Sequence, residues 1–182
     1  MTSITHPELV RALAKPGLDI IASLTPVNAH LLHMAVGVSG EVSEIILGIM
    51  SKDRENIVEE LGDTEFYLEG IYGTMNLART LWTAEECSQD SKAMAVHAGN
   101  LLDQIKKVVI YNKVPDIRAI ALALASIEQQ LEAVRNMFDI SKQKTIDHNI
   151  AKLSKRYASL GYSDAAAQAR ADKTGDQAEL FA

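Results

Sequence analysis

The residues of this chain that could do chemistry are acids placed among apolar side chains. Met34, Val38, Glu41 and Ile45 follow a 4-3-4 spacing, which marks one core-facing stripe of a helix. Glu41 therefore stands where an apolar residue is expected. Glu44 lies one turn further along the same side.

A second acid pair has the same arrangement on the next predicted helix. Its apolar stripe has 3-4-3-4 spacing and comprises Ile57, Glu60, Thr64, Tyr67 and Ile71. Asp63 follows Glu60 by three residues. Two helices joined by a short turn pack antiparallel, so we expect the two acid pairs to face each other.

Four carboxylates in a partly dry site repel one another, and bound cations would relieve that repulsion. Oxygen ligands of this kind suit Mg²⁺ or Mn²⁺. We therefore predict catalytic and metal-ligating roles for Glu41, Glu44, Glu60 and Asp63.

Two other interpretations of these acids remain open. One is a solvated acidic stripe, with Glu41 and Glu60 at the edge of the seam. The other is a di-iron bundle, which is disfavoured because such sites use Glu-x-x-His pairs and neither pair here contains His. Two acid pairs in the apolar seams of adjacent helices favour the metal site over the stripe.

Helical periodicity with capping residues predicts an all-α chain. The expected long helices cover residues 26–50, 53–76, 83–112, 115–139 and 141–158, after a short segment at 7–24 and before a short helix from Ser163. Thr25, Asp53 and Ser141 are the predicted caps, and Thr83 with Glu86 forms a capping-box pattern. We expect one domain over residues 1–182, with a four-helix-bundle core and extra helices at both ends.

Two motifs carry a resemblance to a known family. GEVSE (residues 40–44) and EELGD (59–63), with a spacer of residues 45–59, resemble the E-x-x-E, spacer, E-x-x-D signature of the all-α nucleoside triphosphate pyrophosphohydrolases of the MazG type. HNIAKLSKRY (148–157) is similar to a C-terminal segment of bacterial and phage members. The resemblance covers residues 24–77 and 140–173.

Residues 99–140 resemble a worn copy of residues 40–77. Aligned from Gly40 with Gly99, and with residues 111–114 skipped, three of the four acids are replaced, by Asn100, Ala123 and Ser126, and only Glu44 keeps an acid, in Asp103. We interpret the chain as a pseudo-dimer of two related hairpins, with an active half at about 26–77, a degenerate half at about 84–140 and C-terminal helices at 141–173. The alternative is that any two helical hairpins share periodic apolar positions.

A basic face near the C-terminus is the candidate phosphate-binding surface. Asn149, Lys152 and Arg156 share one side of a helix. A solvated basic face is the alternative, and the resemblance favours a triphosphate contact. Lys106, in the KKVVIYNK segment of the second half, could add a further cation.

Composition narrows the class of protein. Hydrophobic residues make up 47% and charged residues 23%, which argues against extensive disorder. The net charge of -6 gives no general basic field for nucleic acid, and the single Cys87 excludes an intramolecular disulfide. No apolar run approaches a membrane span and no signal peptide is evident, so we expect a cytoplasmic protein without membrane or nucleic-acid partners, and a homodimer or higher homo-oligomer.

The resemblance implies hydrolysis of a ribo- or deoxyribonucleoside triphosphate to the monophosphate and pyrophosphate, with Mg²⁺ or Mn²⁺ as cofactor. Two alternatives lie in the same superfamily, namely phosphoribosyl-ATP pyrophosphohydrolase and a dUTPase-like enzyme. A third is a catalytically silent helical protein that binds nucleotides or a partner. Asn28, His30, His33 and Trp82 are candidates for a base pocket.

Overall fold

The computed structural model describes residues 4–79, 91–157, 159 and 161–172, and these residues form helices without any strand. In chain order the helices are α1 (His6–Leu13), α2 (Gly17–Ser23), α3 (Pro26–Ser51), α4 (Arg54–Met75), α5 (Ser91–Tyr111), α6 (Ile117–Phe138), α7 (Lys142–Arg156) and α8 (Asp164–Ala169). The all-α prediction is therefore confirmed for the described residues. The capping box predicted at Thr83 and Glu86 lies outside them, as do Trp82 and Cys87.

Side-chain caps fix where the helices begin. Thr25, Asp53 and Ser141 each accept a hydrogen bond from the backbone N–H three residues later, and Asp116 and Ser163 do the same for α6 and α8. Each cap satisfies one otherwise unpaired N–H group and contributes about 1 kcal/mol. The helix starts predicted at these positions are confirmed.

The four long helices of the core end on residues other than glycine that adopt a left-handed backbone. These residues are Lys52, Asn76, Asn112 and Asp139, with φ of 58°, 51°, 52° and 52°. The left-handed residue after α3 turns the chain sharply, and α4 returns along α3 after only Lys52 and Asp53. This tight turn sets the two acid-bearing helices side by side.

The core lies between α3 and its neighbours. α3 packs against both α4 and α5, α6 packs against α5, and α7 packs against α4. The alignment of residues 40–77 with 99–140 pairs three apolar residues of α4 with three of α6. All six are 0% exposed, namely Ile57, Leu61 and Leu68 and their counterparts Ile120, Leu124 and Leu131. These six residues therefore lie on the core faces of the two helices.

The buried side of α5 follows a different register from the predicted alignment. The core residues Leu31, Ala35, Val38 and Val42 of α3 have buried counterparts 63 positions later, namely Met94, Ala98, Leu101 and Ile105. The same offset relates Ile57 to Ile120. In this register Glu41 corresponds to Gln104 and Glu44 to Lys107, so Asp103 is no longer the counterpart of an acid, and none of the four acids has an acidic counterpart.

Helix α3 is the one described helix long and apolar enough to cross a membrane by length and composition alone. The core helix of a soluble protein passes the same test. Seven residues of α3 are buried, and six of them, including Met34, Val38 and Ile45, belong to the common core.

A buried carboxylate, Glu65, joins α4, α6 and the start of α7. Its Oε1 lies 2.5 Å from Arg135 Nη2 and 3.0 Å from Lys142 Nζ, and its Oε2 lies 3.0 Å from Arg79 Nη1. The side chains of Glu65 and Arg135 are 7% and 3% exposed. Burial alone would raise the pKa of Glu65, but Lys142 and Arg135 outweigh it and hold that pKa below the ordinary value.

We predict that Glu65→Gln lowers the free energy of unfolding by roughly 3 kcal/mol, because it removes the closer and more buried of the two carboxylates that pair with the buried Arg135 charge. Urea denaturation at neutral pH measures this. The matched control is Glu69→Gln on the same helix, whose side chain is 72% exposed and should matter little.

The pH dependence of that difference follows from the lowered pKa of Glu65. The advantage of wild type over Glu65→Gln is fully present above the ordinary glutamate pKa of 4.5, and it is lost as the pH falls through the lower folded-state pKa. Equal stability of the two proteins at neutral pH would contradict a structural role for this ion pair.

Candidate metal centre

Three of the four predicted acids meet where α3 packs against α4. Glu41, Glu60 and Asp63 each offer a carboxylate oxygen, and these oxygens all lie within 4.8 Å of one another. Glu60 is 5% exposed, whereas Glu41 and Asp63 are partly buried. The cluster is therefore half enclosed, with one acid in the core and two at its border.

Burial favours the neutral forms of Glu60 and Glu41. Burial, a hydrogen bond with Glu41 and the charges of neighbouring acids raise the pKa of Glu60 to about 9. Burial also raises the pKa of Glu41. At neutral pH Glu60 therefore keeps a proton, which it donates to the Glu41 carboxylate. A divalent cation that replaced this proton would take three oxygen ligands of the kind that Mg²⁺ prefers.

Glu44, the fourth predicted acid, lies outside this close group. Its side chain is exposed, because three residues along a helix turn it about 60° away from Glu41. Its charge still contributes to raising the pKa of Glu41 and of Glu60, after burial and closer contacts. Glu44 is thus near enough to act on the cluster electrostatically from its solvent side.

Helix α7 brings two of the predicted phosphate-binding residues to the acids. Asn149 Nδ2 donates to Asp63 Oδ1 at 2.6 Å, and the Lys152 ammonium donates to the other oxygen of Asp63. Lys152 Nζ also lies 3.2 Å from Glu59 Oε1. Lys152 is 9% exposed, so a buried ammonium neutralises one side of the acid cluster.

Gly62 explains how α7 comes this close. A Cβ at Gly62 would lie 2.7 Å from the backbone oxygen of Thr145 and 2.9 Å from Cβ of Asn149. No side chain fits in that space, so the glycine between Leu61 and Asp63 is a contact point for α7. The same contact sets Asn149 beside Asp63.

The other two predicted phosphate contacts have different partners. Arg156 binds Asp172 through two hydrogen bonds, of 2.6 and 2.7 Å. Lys106 lies on α5 and pairs with Asp103. Lys106 is thus engaged with an acid of its own helix and is not brought to the cluster by any described contact.

Tyr67 is a site residue that the sequence analysis placed in the seam but assigned no role. Its ring fills the space above Gly37, where a Cβ would come within 2.4 Å of it. The nearby charges of Glu41 and Asp63 add to burial in raising the pKa of the Tyr67 hydroxyl. Tyr67 therefore forms a wall of the site one turn beyond Asp63. Its place in the apolar stripe of α4 was the feature from which sequence reasoning could have identified it as a site residue.

Of the residues predicted for a base pocket, the structure places His33 beside Tyr67. The ring of His33 is 5.9 Å from the ring of Tyr67, in an edge-on arrangement, and the ring of Phe66 is 5.4 Å from it. His30 lies three residues before His33 on α3, beside Gly70. Asn28 donates its backbone N–H to the Thr25 side chain that caps α3. Trp82 is outside the described residues.

An open depression of about 230 Å³ adjoins the acids on the α7 side. It is lined by Glu59, His148, Ala151, Lys152, Lys155 and Asp172. Two of these side chains are lysines, and one of them, Lys152, also contacts Asp63. Two acids, Glu59 and Asp172, balance the two lysines in this lining, and Lys152 links the depression to the acid cluster.

Comparisons with protein-family models, curated proteins and solved structures found no match to this chain.

We predict that Gly62→Ala lowers the free energy of unfolding by about 1–3 kcal/mol, because the added Cβ pushes α7 away from α4. The matched control is Gly73→Ala on the same helix, where a Cβ would meet nothing within 4 Å. There the substitution should raise the free energy of unfolding by up to about 1 kcal/mol. Equal gains in both variants would contradict close packing at Gly62.

We also predict that Glu60 makes the metal-free protein less stable as the pH rises. Its pKa is about 9 in the folded state against an ordinary value of 4.5, so the folded state holds the proton more tightly between these values. In EDTA, the free energy of unfolding of wild type should fall relative to that of Glu60→Gln from pH 5 to pH 9. Parallel pH profiles would show that Glu60 ionises normally.

Proposed function

We propose that this chain hydrolyses a ribo- or deoxyribonucleoside triphosphate to the monophosphate and pyrophosphate in a metal-dependent reaction. The observation that supports this most is the convergence of Glu41, Glu60 and Asp63 beside the buried ammonium of Lys152. The resemblance of GEVSE and EELGD to the MazG-type motifs supports the same reaction.

The acid cluster fits Mg²⁺ or Mn²⁺ on chemical grounds. Its donors are carboxylate oxygens, and the raised pKa of Glu60 reflects a site with too much negative charge for its burial. Glu41, Glu60 and Asp63 would hold the ion, with Glu44 on the exposed side. The bound ion would neutralise phosphate oxygens and lower the pKa of a coordinated water.

The chain's own residues account for how the substrate is held. In the proposed reaction a water adds to the α-phosphorus, the bond from that phosphorus to the α,β-bridging oxygen breaks, and pyrophosphate leaves. The depression lined by Lys152 and Lys155 would hold the departing pyrophosphate. Asn149 keeps Asp63 oriented toward the cluster. Arg156 would reach phosphate only by sharing or leaving Asp172.

Lys152 has a second role in this proposal. In the described arrangement its ammonium neutralises Asp63. With Asp63 engaged as a metal ligand, the Lys152 ammonium would be available to turn toward phosphate in the adjoining depression. Lys152 would thus serve either Asp63 or the substrate.

We propose further that α3–α4 and α5–α6 descend from one duplicated hairpin. The common offset of 63 residues between buried positions of the two hairpins supports this, as do the matched caps Asp53 and Asp116. The second hairpin has Ala123 and Ser126 in place of Glu60 and Asp63, so it would serve as scaffold for a single site.

A catalytically silent nucleotide-binding protein is the second candidate. The observation that favours it is that two protein groups, Asn149 and Lys152, already engage Asp63. Release of pyrophosphate separates the two candidates, because a binding protein would shift its melting temperature with nucleotide but release none.

The test is a panel of ribo- and deoxyribonucleoside triphosphates, including dUTP, with phosphoribosyl-ATP added. Each is assayed for pyrophosphate release with Mg²⁺, with Mn²⁺ and with EDTA. We expect release from at least one triphosphate with metal and none with EDTA. Release from phosphoribosyl-ATP alone, or from dUTP alone, would instead support the corresponding alternative enzyme.

We predict that Glu41→Gln and Asp63→Asn each lower kcat by at least about 100-fold at saturating metal, because each removes a carboxylate from the cluster. Both should leave the helical circular dichroism unchanged. The control is Asp103→Asn on α5, which pairs with Lys106 and should change kcat little. Full activity of either cluster variant would disprove the site assignment.

A further inference from the structure

The residues that follow α7 lead to an ion pair with the last residue of that helix. Arg156 donates two hydrogen bonds to the Asp172 carboxylate, from Nε to Oδ1 at 2.6 Å and from Nη2 to Oδ2 at 2.7 Å. The side chains of Arg156 and Asp172 are 16% and 3% exposed, so the pair is well enclosed. Residues 161–172, which include α8 and which this ion pair ties to α7, are called the strap below.

The ion pair is the main fastening of the strap among the contacts that the described residues show. No residue of α8 is buried, and a helix of six residues is too short to persist by itself. The strap also brings the ring of Tyr162 to 5.8 Å from the ring of Tyr157, but Tyr162 is 74% exposed. Release of Asp172 would therefore remove most of what holds the strap in place.

The Arg156–Asp172 contact has the form of a phosphate contact. A guanidinium binds a carboxylate and a phosphate with the same planar pair of N–H donors. Arg156 lies one helical turn after Lys152 on α7, on the side that meets the acids. Hydrogen bonding to Asp172 and, more weakly, the charge of Asp63 raise the pKa of Arg156. Asp172 thus occupies donors that lie close to the acid cluster.

The strap also sets the charge of the depression beside the acids. With Asp172 in the lining, two carboxylates accompany two lysines, Lys152 and Lys155. With the strap moved away, Glu59 would be the acid that remains of that lining, and the Arg156 guanidinium would be free to bind an anion. The depression is thus nearly balanced when the strap is docked and would be cationic when it is released. An anion therefore favours the released state.

We propose that the strap is an autoinhibitory segment, in which the Asp172 carboxylate takes the place of a substrate phosphate at Arg156 and is displaced when the triphosphate binds. This inference rests on the proposed function, since it concerns regulation of the same site. Phosphate binding and strap docking exclude each other at Arg156. The apparent affinity for phosphate is then the intrinsic affinity multiplied by the fraction of molecules with the strap released.

Titration calorimetry of the full chain with inorganic pyrophosphate, in EDTA, tests this competition. We expect Asp172→Asn to bind pyrophosphate at least about five-fold more tightly than wild type, because more of its molecules have the strap released. Asp164→Asn is the matched control, since it makes the same change of charge within the strap. Asp164 accepts a hydrogen bond from exposed Tyr162 and does not line the depression, so this variant should bind like wild type. Circular dichroism melting checks that both variants are folded.

Hydrogen exchange measured by mass spectrometry tests whether the strap moves. We expect saturating pyrophosphate to speed amide exchange in residues 164–172 of wild type, while amides of α4 and α7 do not speed up. In Asp172→Asn the same segment should exchange fast without pyrophosphate. Tighter binding by Asp172→Asn with no faster exchange in wild type would overturn the proposal, because the loss of a nearby negative charge would then explain the affinity by itself.

The remaining outcomes also decide between roles for Asp172. Equal or weaker pyrophosphate binding by Asp172→Asn would overturn autoinhibition, and weaker binding would mean that Asp172 holds Arg156 in position for phosphate. Neither measurement needs turnover. A chain that released pyrophosphate from no triphosphate would therefore disprove the proposed hydrolysis, while the competition between the strap and pyrophosphate would be judged on its own.

Discussion

The Asp63 carboxylate is held by Asn149 and Lys152, and this contact fastens the last long helix to α4. Asp63 needs compensation because it sits among other acids at the edge of the core, and α7 supplies it. Gly62 allows the two helices to approach closely enough for the contact to form. One requirement, charge balance at a half-buried acid, thus links the α3–α4 hairpin, α7 and the depression beside them.

Helix α4 carries two carboxylate clusters that are balanced in opposite ways. Glu65 is surrounded by Arg79, Arg135 and Lys142, and its pKa is held below the ordinary value. Glu60, five residues earlier, has acids as neighbours, and its pKa is raised to about 9. The first cluster joins helices and is already neutralised by protein groups. The second is balanced by the Lys152 ammonium at Asp63 and by a proton on Glu60.

Sequence reasoning was most successful where one helix decides the outcome. Apolar spacing and capping residues identified the helices and their starts, because both depend on residues within a few positions of each other. From their places in apolar stripes it also predicted that Glu41, Glu60 and Asp63 come together, as they do. It was less successful for Glu44, which lies about 60° around the helix from Glu41. Whether a residue at that angle is buried or exposed depends on how the neighbouring helix packs. The partners of Arg156 and Lys106, and the register of α5, depend on contacts between distant or irregular segments that periodicity does not describe.

The left-handed residues that end the core helices have a consequence for engineering this scaffold. Lys52 has a φ of 58° and carries a Cβ in a conformation that costs a non-glycine residue of order 1 kcal/mol. Asn76, Asn112 and Asp139 tolerate the same backbone more easily but are still second to glycine there. These four turns are therefore separate places where thermal tolerance could be raised by a single glycine each, at positions that form no part of the acid cluster.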